Sequence, residues 1–123
     1  MENIKTTQGR IMDAMGAINR LRQKVKGHDA LNLFHLKNVL QEHVDFQAEE
    51  EQKLIAECGG TIIEGGMVRI TDNEQRNKFN EEYRKLLNLE VEVKTGVITL
   101  SLERNPDITL EDIEQLNGFI IFK

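Results

Sequence analysis

The chain has 123 residues, of which 39% are hydrophobic and 30% are charged, a composition typical of one compact globular domain rather than a disordered segment. The formal net charge of −5 argues against sequence-independent DNA binding, which depends on a surplus of Lys and Arg near phosphate. The single cysteine, Cys58, excludes an internal disulfide. No segment has the apolar length of a signal peptide or a membrane span. We therefore expect a soluble, intracellular protein that binds neither DNA nor a membrane.

The first half of the sequence has the period of helices. Apolar residues recur every three or four positions on one face of a first helix, at Ile11, Met15, Ile18, Leu21 and Val25. Thr6 or Thr7 would cap the start of this helix, and Gly27 would end it. A second helix is expected from Asp29, as its N-cap, to Cys58, where Gly59 and Gly60 follow.

The second helix is long for a domain of this size. Thirty residues at about 1.5 Å each span roughly 45 Å, which exceeds the diameter of a compact chain of this length. Either the helix projects from the domain, or a second copy of the protein covers part of it, and we expect a homo-oligomer. Leu36, Leu40 and Val44 are candidates for the subunit contact, but they could equally belong to the core of one chain.

The second half of the sequence changes to the period of strands. Two β-prone runs, 61–64 and 67–70, flank Gly65 and Gly66, which predicts a hairpin with a type I′ turn. Thr71 and Glu74 have the spacing of a capping box. This box would open a third helix with apolar residues on one side, at Phe79, Tyr83, Leu86 and Leu87.

The last third of the chain predicts two more strands, a short helix and a final strand. Residues 90–94 and 98–102 alternate between apolar and polar side chains, and a turn at Thr95 and Gly96 would join them as a hairpin. Thr109 would begin a short helix that ends at Asn117 and Gly118. Residues 119–122 have no polar face and predict a buried strand.

Together these segments predict an α+β fold in a single domain, 1–123. A long antiparallel helical hairpin occupies 1–58, and a small, mostly antiparallel sheet with one further helix occupies 59–123.

The cations of the first helix are the candidate binding residues. Residues 1–37 carry seven Lys or Arg against three acids, whereas residues 38–58 carry one Lys against six acids. The cations concerned are Arg10, Arg20, Arg22, Lys24 and Lys26. They could hold nucleotide phosphates or an acidic protein surface, with Phe79 and Tyr83 contacting a base. Alternatively, the basic helix simply lies along the acidic one and pairs with it.

The remaining polar residues do not form a recognisable chemical site. His28, His35 and His43 lack the spacing of metal ligands on one helix face. Cys58 follows a helix C-terminus, where the helix dipole disfavours a thiolate, so it is expected to be a small core residue. The run 49–51 of three Glu predicts a solvated face, or alternatively an acidic surface for a basic partner. We expect no metal, no cofactor, no catalytic residue and no enzymatic activity.

Several segments resemble a family of small proteins from phages and prophages of Gram-positive bacteria. The resemblance lies in 36–40, 49–55, 79–83, 86–92 and 108–113, and it extends over roughly residues 30–123. These segments contain caps, apolar stripes and acids, without a catalytic motif. The resemblance implies viral origin and a small accessory role in the cytoplasm of the host.

Three functions are compatible with these observations. The first is a non-enzymatic binding protein that inhibits a host factor, for example in a bacterial defence system. The second is a sponge that sequesters a small signalling nucleotide. The third is a virion or assembly accessory protein, whose partner would be a phage protein.

Overall fold

The computed structural model describes residues 3–123. The strands are β1 (Ile4–Thr7), β2 (Thr61–Ile62), β3 (Val68–Arg69), β4 (Glu90–Val93), β5 (Ile98–Leu100) and β6 (Ile120–Phe122). The helices are α1 (Gln8–Leu21), α2 (Gly27–Glu57), α3 (Asn73–Leu87) and α4 (Leu110–Gln115), and a 3₁₀ turn occupies Glu64–Gly66. The fold is α+β, as the sequence predicts.

The helices α1 and α2 form an antiparallel hairpin. The hydroxyl of Thr7 caps α1 by accepting the backbone N–H of Arg10 at 3.3 Å. The side-chain amide of Gln8, at the start of α1, donates to the carbonyl of His43, well along α2. Gly27 does not end α1, as the sequence suggested, but is the first residue of α2, with φ +62°. The turn 22–26 separates the two helices.

The main hydrophobic core lies between α1, the first half of α2 and the C-terminal segments. The apolar face of α1 is buried as predicted, since Ile11, Ile18 and Leu21 are fully inaccessible to solvent. Leu36 and Leu40 are also fully buried here, and the half-buried Val44 packs against the same core. Of the two alternatives that the sequence left open for these α2 residues, the structure supports the core of one chain and not the subunit contact, because they already contact apolar side chains of their own chain.

A second, smaller core covers one side of the C-terminal half of α2. Leu54 and Cys58 pack with Ile70, and Phe79 and Tyr83 of α3 lie against them. The prediction that Cys58 is a small core residue is confirmed, since only 2% of it is exposed. On this side, therefore, the C-terminal half of α2 is covered by α3 and the β2–β3 hairpin of its own chain rather than by solvent or a second copy.

The β2–β3 hairpin is confirmed, with one difference in its turn. Ile62 pairs with Val68, and both Gly65 and Gly66 take positive φ, at 84° and 77°. The strands are shorter than predicted, so the loop contains the 3₁₀ turn rather than two residues alone. A backbone hydrogen bond from Ile63 N to Met67 O, 2.8 Å long, closes the loop.

The predicted pairing of residues 90–94 with 98–102 is wrong. Instead, β4 pairs antiparallel with β1, with Ile4 opposite Val93, and β5 pairs parallel with β6, with Ile98 opposite Ile120. The alternating pattern correctly indicates both strands but contains no information on their partners. The described strands form three two-stranded sheets, two antiparallel and one parallel.

The caps of the later helices match the sequence only in part. Asp72, not Thr71, caps α3 by accepting the N–H of Gln75 at 3.0 Å. Thr109 caps α4 as predicted, and it forms a capping box with Asp112. The final strand is only partly buried, because Ile121 is 50% exposed.

Candidate partner-binding site

Two of the candidate cations pair with the same buried carboxylate. Lys24 Nζ lies 2.9 Å from Asp112 Oδ2, and Arg20 Nε lies 3.7 Å from Asp112 Oδ1. Arg20 also donates to the side chain of Gln115. The interpretation that α1 pairs with the acidic stretch of α2 is wrong for Arg20 and Lys24, because the anion they meet lies on α4.

Asp112 is held in its charged form. Burial by itself would raise its pKa, but hydrogen bonds from Lys24 and from the backbone and hydroxyl of Thr109 outweigh burial. The pKa of Asp112 therefore falls below its ordinary value. Because α4 is attached to α1 through this carboxylate, Arg20 and Lys24 serve the fold and are less available to an external anion.

Arg10 and Lys26 also contact their own chain. The guanidinium of Arg10 donates to the carbonyl of Asn117 at 2.6 Å. The backbone N–H of Lys26 donates to Asn105 Oδ1 at 3.1 Å, while the Lys26 side chain is exposed. The five candidate cations thus do not act as one cluster, and Arg22 borders an open cavity between α1 and α2.

Asp29 lies in the first turn of α2 rather than at its N-cap, which corrects the sequence prediction. Its buried carboxylate accepts hydrogen bonds from Asn105 Nδ2 at 2.7 Å, Ser101 N at 3.2 Å and Arg104 Nη2 at 3.2 Å. Burial by itself raises the pKa of Asp29. These hydrogen bonds and the Arg104 charge together lower the pKa by more than burial raises it, so the net pKa is below the ordinary value. This acid is thus a structural anchor.

Phe79 and Tyr83 form a stacked pair that packs inward. Their ring centroids are 5.7 Å apart, and their planes differ by 11°. Both rings are half-buried against the smaller core. Burial raises the pKa of the Tyr83 hydroxyl, the Glu51 carboxylate raises it further, and the Gln47 side chain opposes this shift. These rings contact the C-terminal half of α2, whereas Arg20, Arg22 and Lys24 lie at the other end of the hairpin.

An open cavity of about 180 Å³ lies between α1 and α2. We name it the basic cleft and define it by Ile18, Arg22, Ala30, Leu33, Phe34 and Lys37. Its floor is apolar, since Ile18 and Leu33 are buried, and the ring of Phe34 beside it is 58% exposed. Within residues 3–123, neither Arg22 nor Lys37 makes an ion pair or a side-chain hydrogen bond.

Two unpartnered cations beside an apolar floor suit a particular ligand. An anion would be attracted by Arg22 and Lys37, and an apolar group would displace water from the floor. A volume of about 180 Å³ is below the roughly 300–1,000 Å³ of sites that hold whole small molecules. The basic cleft therefore suits one side chain of a larger partner better than a complete nucleotide.

Two larger cavities lack this combination. One of about 580 Å³ lies over the β1–β4 ribbon and is lined by Lys5, Glu90 and Glu92 among others. Its one cation is opposed by two carboxylates, so this cavity does not attract an anion as the basic cleft does. Another of about 310 Å³ lies between α2 and α3, where Lys53 and Lys85 already pair with neighbouring glutamates.

Sequence reasoning found Arg22 but missed Phe34 and Lys37. Both lie off the apolar stripe that contains Leu33, Leu36 and Leu40, so a signal was present in the pattern. An aromatic residue outside the buried stripe of a helix is an unpartnered apolar group by position alone. The position of Arg22 opposite this pair, in contrast, depends on how α1 packs on α2.

Among residues 3–123, no group of three or more His, Cys, Asp or Glu side chains could hold a metal ion. In the same part of the chain, no helix combines the length and the hydropathy that crossing a membrane requires. Comparisons with protein-family models, with curated proteins and with solved structures found no match.

Proposed function

We propose that this chain is a phage-encoded accessory protein without enzymatic chemistry, which binds a protein of the host cytoplasm and thereby inhibits it. A role against a bacterial defence system would fit this mode of action. The resemblance of residues 30–123 to phage and prophage proteins supports the viral origin. The single observation that supports binding is the basic cleft, where two cations without a described ion-pair partner flank an apolar floor.

The partner segment that fits the basic cleft is acidic and carries one apolar side chain. Its carboxylates would pair with Arg22 and Lys37, and its apolar side chain would contact Phe34 and the buried floor. Charge pairs at an exposed rim mainly accelerate association, whereas the apolar anchor slows dissociation. Binding should therefore weaken as salt is raised, yet should not vanish.

A direct test uses a labelled Glu- and Asp-rich peptide with one central Leu as the probe, followed by fluorescence anisotropy. Arg22→Glu combined with Lys37→Glu should weaken binding at least about tenfold, which corresponds to about 1.4 kcal/mol. The matched control combines Lys78→Glu with Arg84→Glu, which reverse the charge of two exposed cations of α3 without a described ion pair. This control should bind the peptide like the wild type. Equal affinity of both double variants would contradict the proposal, as would peptide binding that is unchanged when Leu becomes Ser.

The natural partner can be sought by native mass spectrometry of the chain purified from its bacterial host. A complex with a whole host protein supports inhibition by binding only if the Arg22→Glu, Lys37→Glu variant loses that protein. An added mass of a few hundred daltons would instead support the nucleotide sponge. In that case the basic cleft would hold only part of the ligand, because its volume is small. Detection of the chain in purified virions would favour the assembly role.

A further inference from the structure

The outer face of α2 is exposed along most of its length. The residues of this face recur every three or four positions, at Leu31, Phe34, Asn38, Gln41, Asp45, Glu49, Gln52 and Ala56. They lie opposite the buried stripe that contains Leu36 and Leu40. No described element of the chain packs over this outer face.

Both ends of the outer face are apolar, but in different ways. At the N-terminal end two large side chains stand out, since Leu31 is 63% exposed and Phe34 is 58% exposed. At the C-terminal end there is an open cavity of about 490 Å³ beside the β2–β3 hairpin. Its lining contains no charged residue and consists of Gln52, Ile55, Ala56, Gly60, Thr61 and Ile62.

The protruding side chains and the cavity lie on the same side of the helix. Gln52 follows Phe34 by 18 positions, which make about five complete turns of α-helix and a rise of about 27 Å. Because α2 runs from Gly27 to Glu57 without a break, the two features are aligned. Between them the face is polar, and Asp45 lies midway between Phe34 and Ala56.

We propose that the outer face of α2 is a self-complementary surface, on which two copies of this chain pair antiparallel about a two-fold axis near Asp45. In this arrangement Phe34 lies opposite Ala56 of the partner subunit and enters the uncharged cavity there. The two-fold axis creates the same contact a second time, so both cavities are filled at once. A second copy thus covers part of the helix that is long for a domain of this size. The contact is made by the face opposite to Leu36 and Leu40.

The size and charge of this face predict a weak dimer. The outer face from Leu31 to Ala56 rises about 38 Å, so a strip about 10 Å wide offers roughly 380 Å² per chain, less than the roughly 800 Å² per partner of a standard stable interface. The exposed side chain of Ile62, which lines the cavity, adds apolar area there. At the axis each Asp45 faces its own copy, and like charges that face one another oppose association. Higher salt screens this repulsion and should therefore strengthen the dimer, whereas it should weaken the binding of an acidic partner in the basic cleft.

The oligomeric state of the full chain, measured without any added partner, tests this proposal separately from the proposed function. Because Phe34 also borders the basic cleft, the second copy and an acidic partner would compete for this side chain. In sedimentation experiments over a wide concentration range, the mean mass should rise from 14.2 kDa toward twice that value. Asp45→Asn removes the facing charges while retaining an oxygen that can accept the Gln41 hydrogen bond, and it should tighten the dimer about threefold or more. Ala56→Glu places a charge in the cavity and should weaken the dimer at least about tenfold. The control Asn80→Glu, at an exposed position of α3, should leave it unchanged.

Cysteine cross-linking tests the antiparallel arrangement. In a Cys58→Ala background, a Phe34→Cys chain mixed with an Ala56→Cys chain should form a disulfide-linked heterodimer, while each chain alone should not. Within one chain these positions are about 33 Å apart, far beyond the roughly 7 Å that a disulfide spans between Cα atoms. The proposal is overturned if wild type and Asp45→Asn remain monomeric at every concentration, if Ala56→Glu dimerises like the wild type, or if the mixture does not cross-link.

Discussion

The carboxylate of Asp29 joins the first turn of α2 to the segment between β5 and α4, and Asp29→Ala removes this joint. The fully buried Asn105 donates to Asp29 at 2.7 Å, and the backbone N–H of Ser101 donates at 3.2 Å. Arg104 pairs with the same carboxylate at 3.2 Å, but 71% of its side chain is exposed. The joint therefore consists of two sheltered hydrogen bonds and one solvated ion pair.

The cost of Asp29→Ala can be estimated from these contacts. Leaving the buried Asn105 amide short of an acceptor costs about 1–3 kcal/mol, and loss of the charge-assisted bond to Ser101 costs about 1 kcal/mol. The exposed Arg104 pair contributes less than about 1 kcal/mol. We expect a loss of about 3 kcal/mol, which for a domain of this size lowers the melting temperature by about 12 °C.

The measurement is urea unfolding followed by far-UV circular dichroism, with Asp13→Ala at an exposed α1 position as the matched control. Arg104→Ala should cost less than about 1 kcal/mol, because it leaves both sheltered bonds in place. If Asp29→Ala cost no more than Arg104→Ala, the assignment of the energy to Asn105 and Ser101 would be refuted.

The same site predicts how stability depends on acid. The pKa of Asp29 is lowered in the folded chain, so its contribution is fully present above the unfolded value of about 3.9. That contribution is lost as the pH falls through the lowered folded pKa. Unfolding free energies measured from neutral pH downward should therefore show the wild type and Asp29→Ala converging below about pH 4. A constant difference down to strong acid would contradict this linkage.

Three further predictions concern packing and titration. Gly60→Ala places a Cβ 3.0 Å from two isoleucine side chains and should cost about 1–3 kcal/mol in urea unfolding. In the same assay Gly16→Ala, whose Cβ would make only an ordinary contact with Arg20 Nη1 at 3.9 Å, should be neutral or stabilising by up to about 1 kcal/mol. Leu40→Ala should cost about 2–5 kcal/mol in the same assay, and a negligible loss would put Leu40 outside the core. Absorbance titration of the only tyrosine should show Tyr83 ionising above its ordinary pKa, and Glu51→Gln should lower that pKa. An unchanged titration in Glu51→Gln would exclude the carboxylate as a cause.

Much of the fold could be predicted from local patterns. The apolar period of α1, the glycine pair of the β2–β3 hairpin and the Thr109 cap are all short-range signals, and each has its expected element in the structure. The long helix from the region of Asp29 to Cys58 was also correct in extent. These features depend on backbone propensity and on side chains within a few positions, so the sequence contains them directly.

The partners of strands and charges could not be predicted in this way. The alternation at 90–94 and 98–102 indicates two strands, but β4 pairs with β1 from the chain's start, and β5 pairs with β6 from its end. Likewise Lys24 meets Asp112, 88 positions away, rather than the acidic stretch that directly follows in the sequence. Contacts between distant segments are decided by which apolar faces bury together, and this is a property of the whole chain.

The sequence by itself thus determined an α+β chain with a long helical hairpin, and it included Arg22 as one of five candidate cations. Only the tertiary structure decided that Arg20 and Lys24 are used internally while Arg22 and Lys37 flank an open apolar cavity. The physical reason is that charge is a local property, whereas freedom from an ion-pair partner depends on the packing of α4 against α1. The packing of α1 and the C-terminal segments on α2 buries Leu36 and Leu40 and leaves the opposite face of α2 exposed.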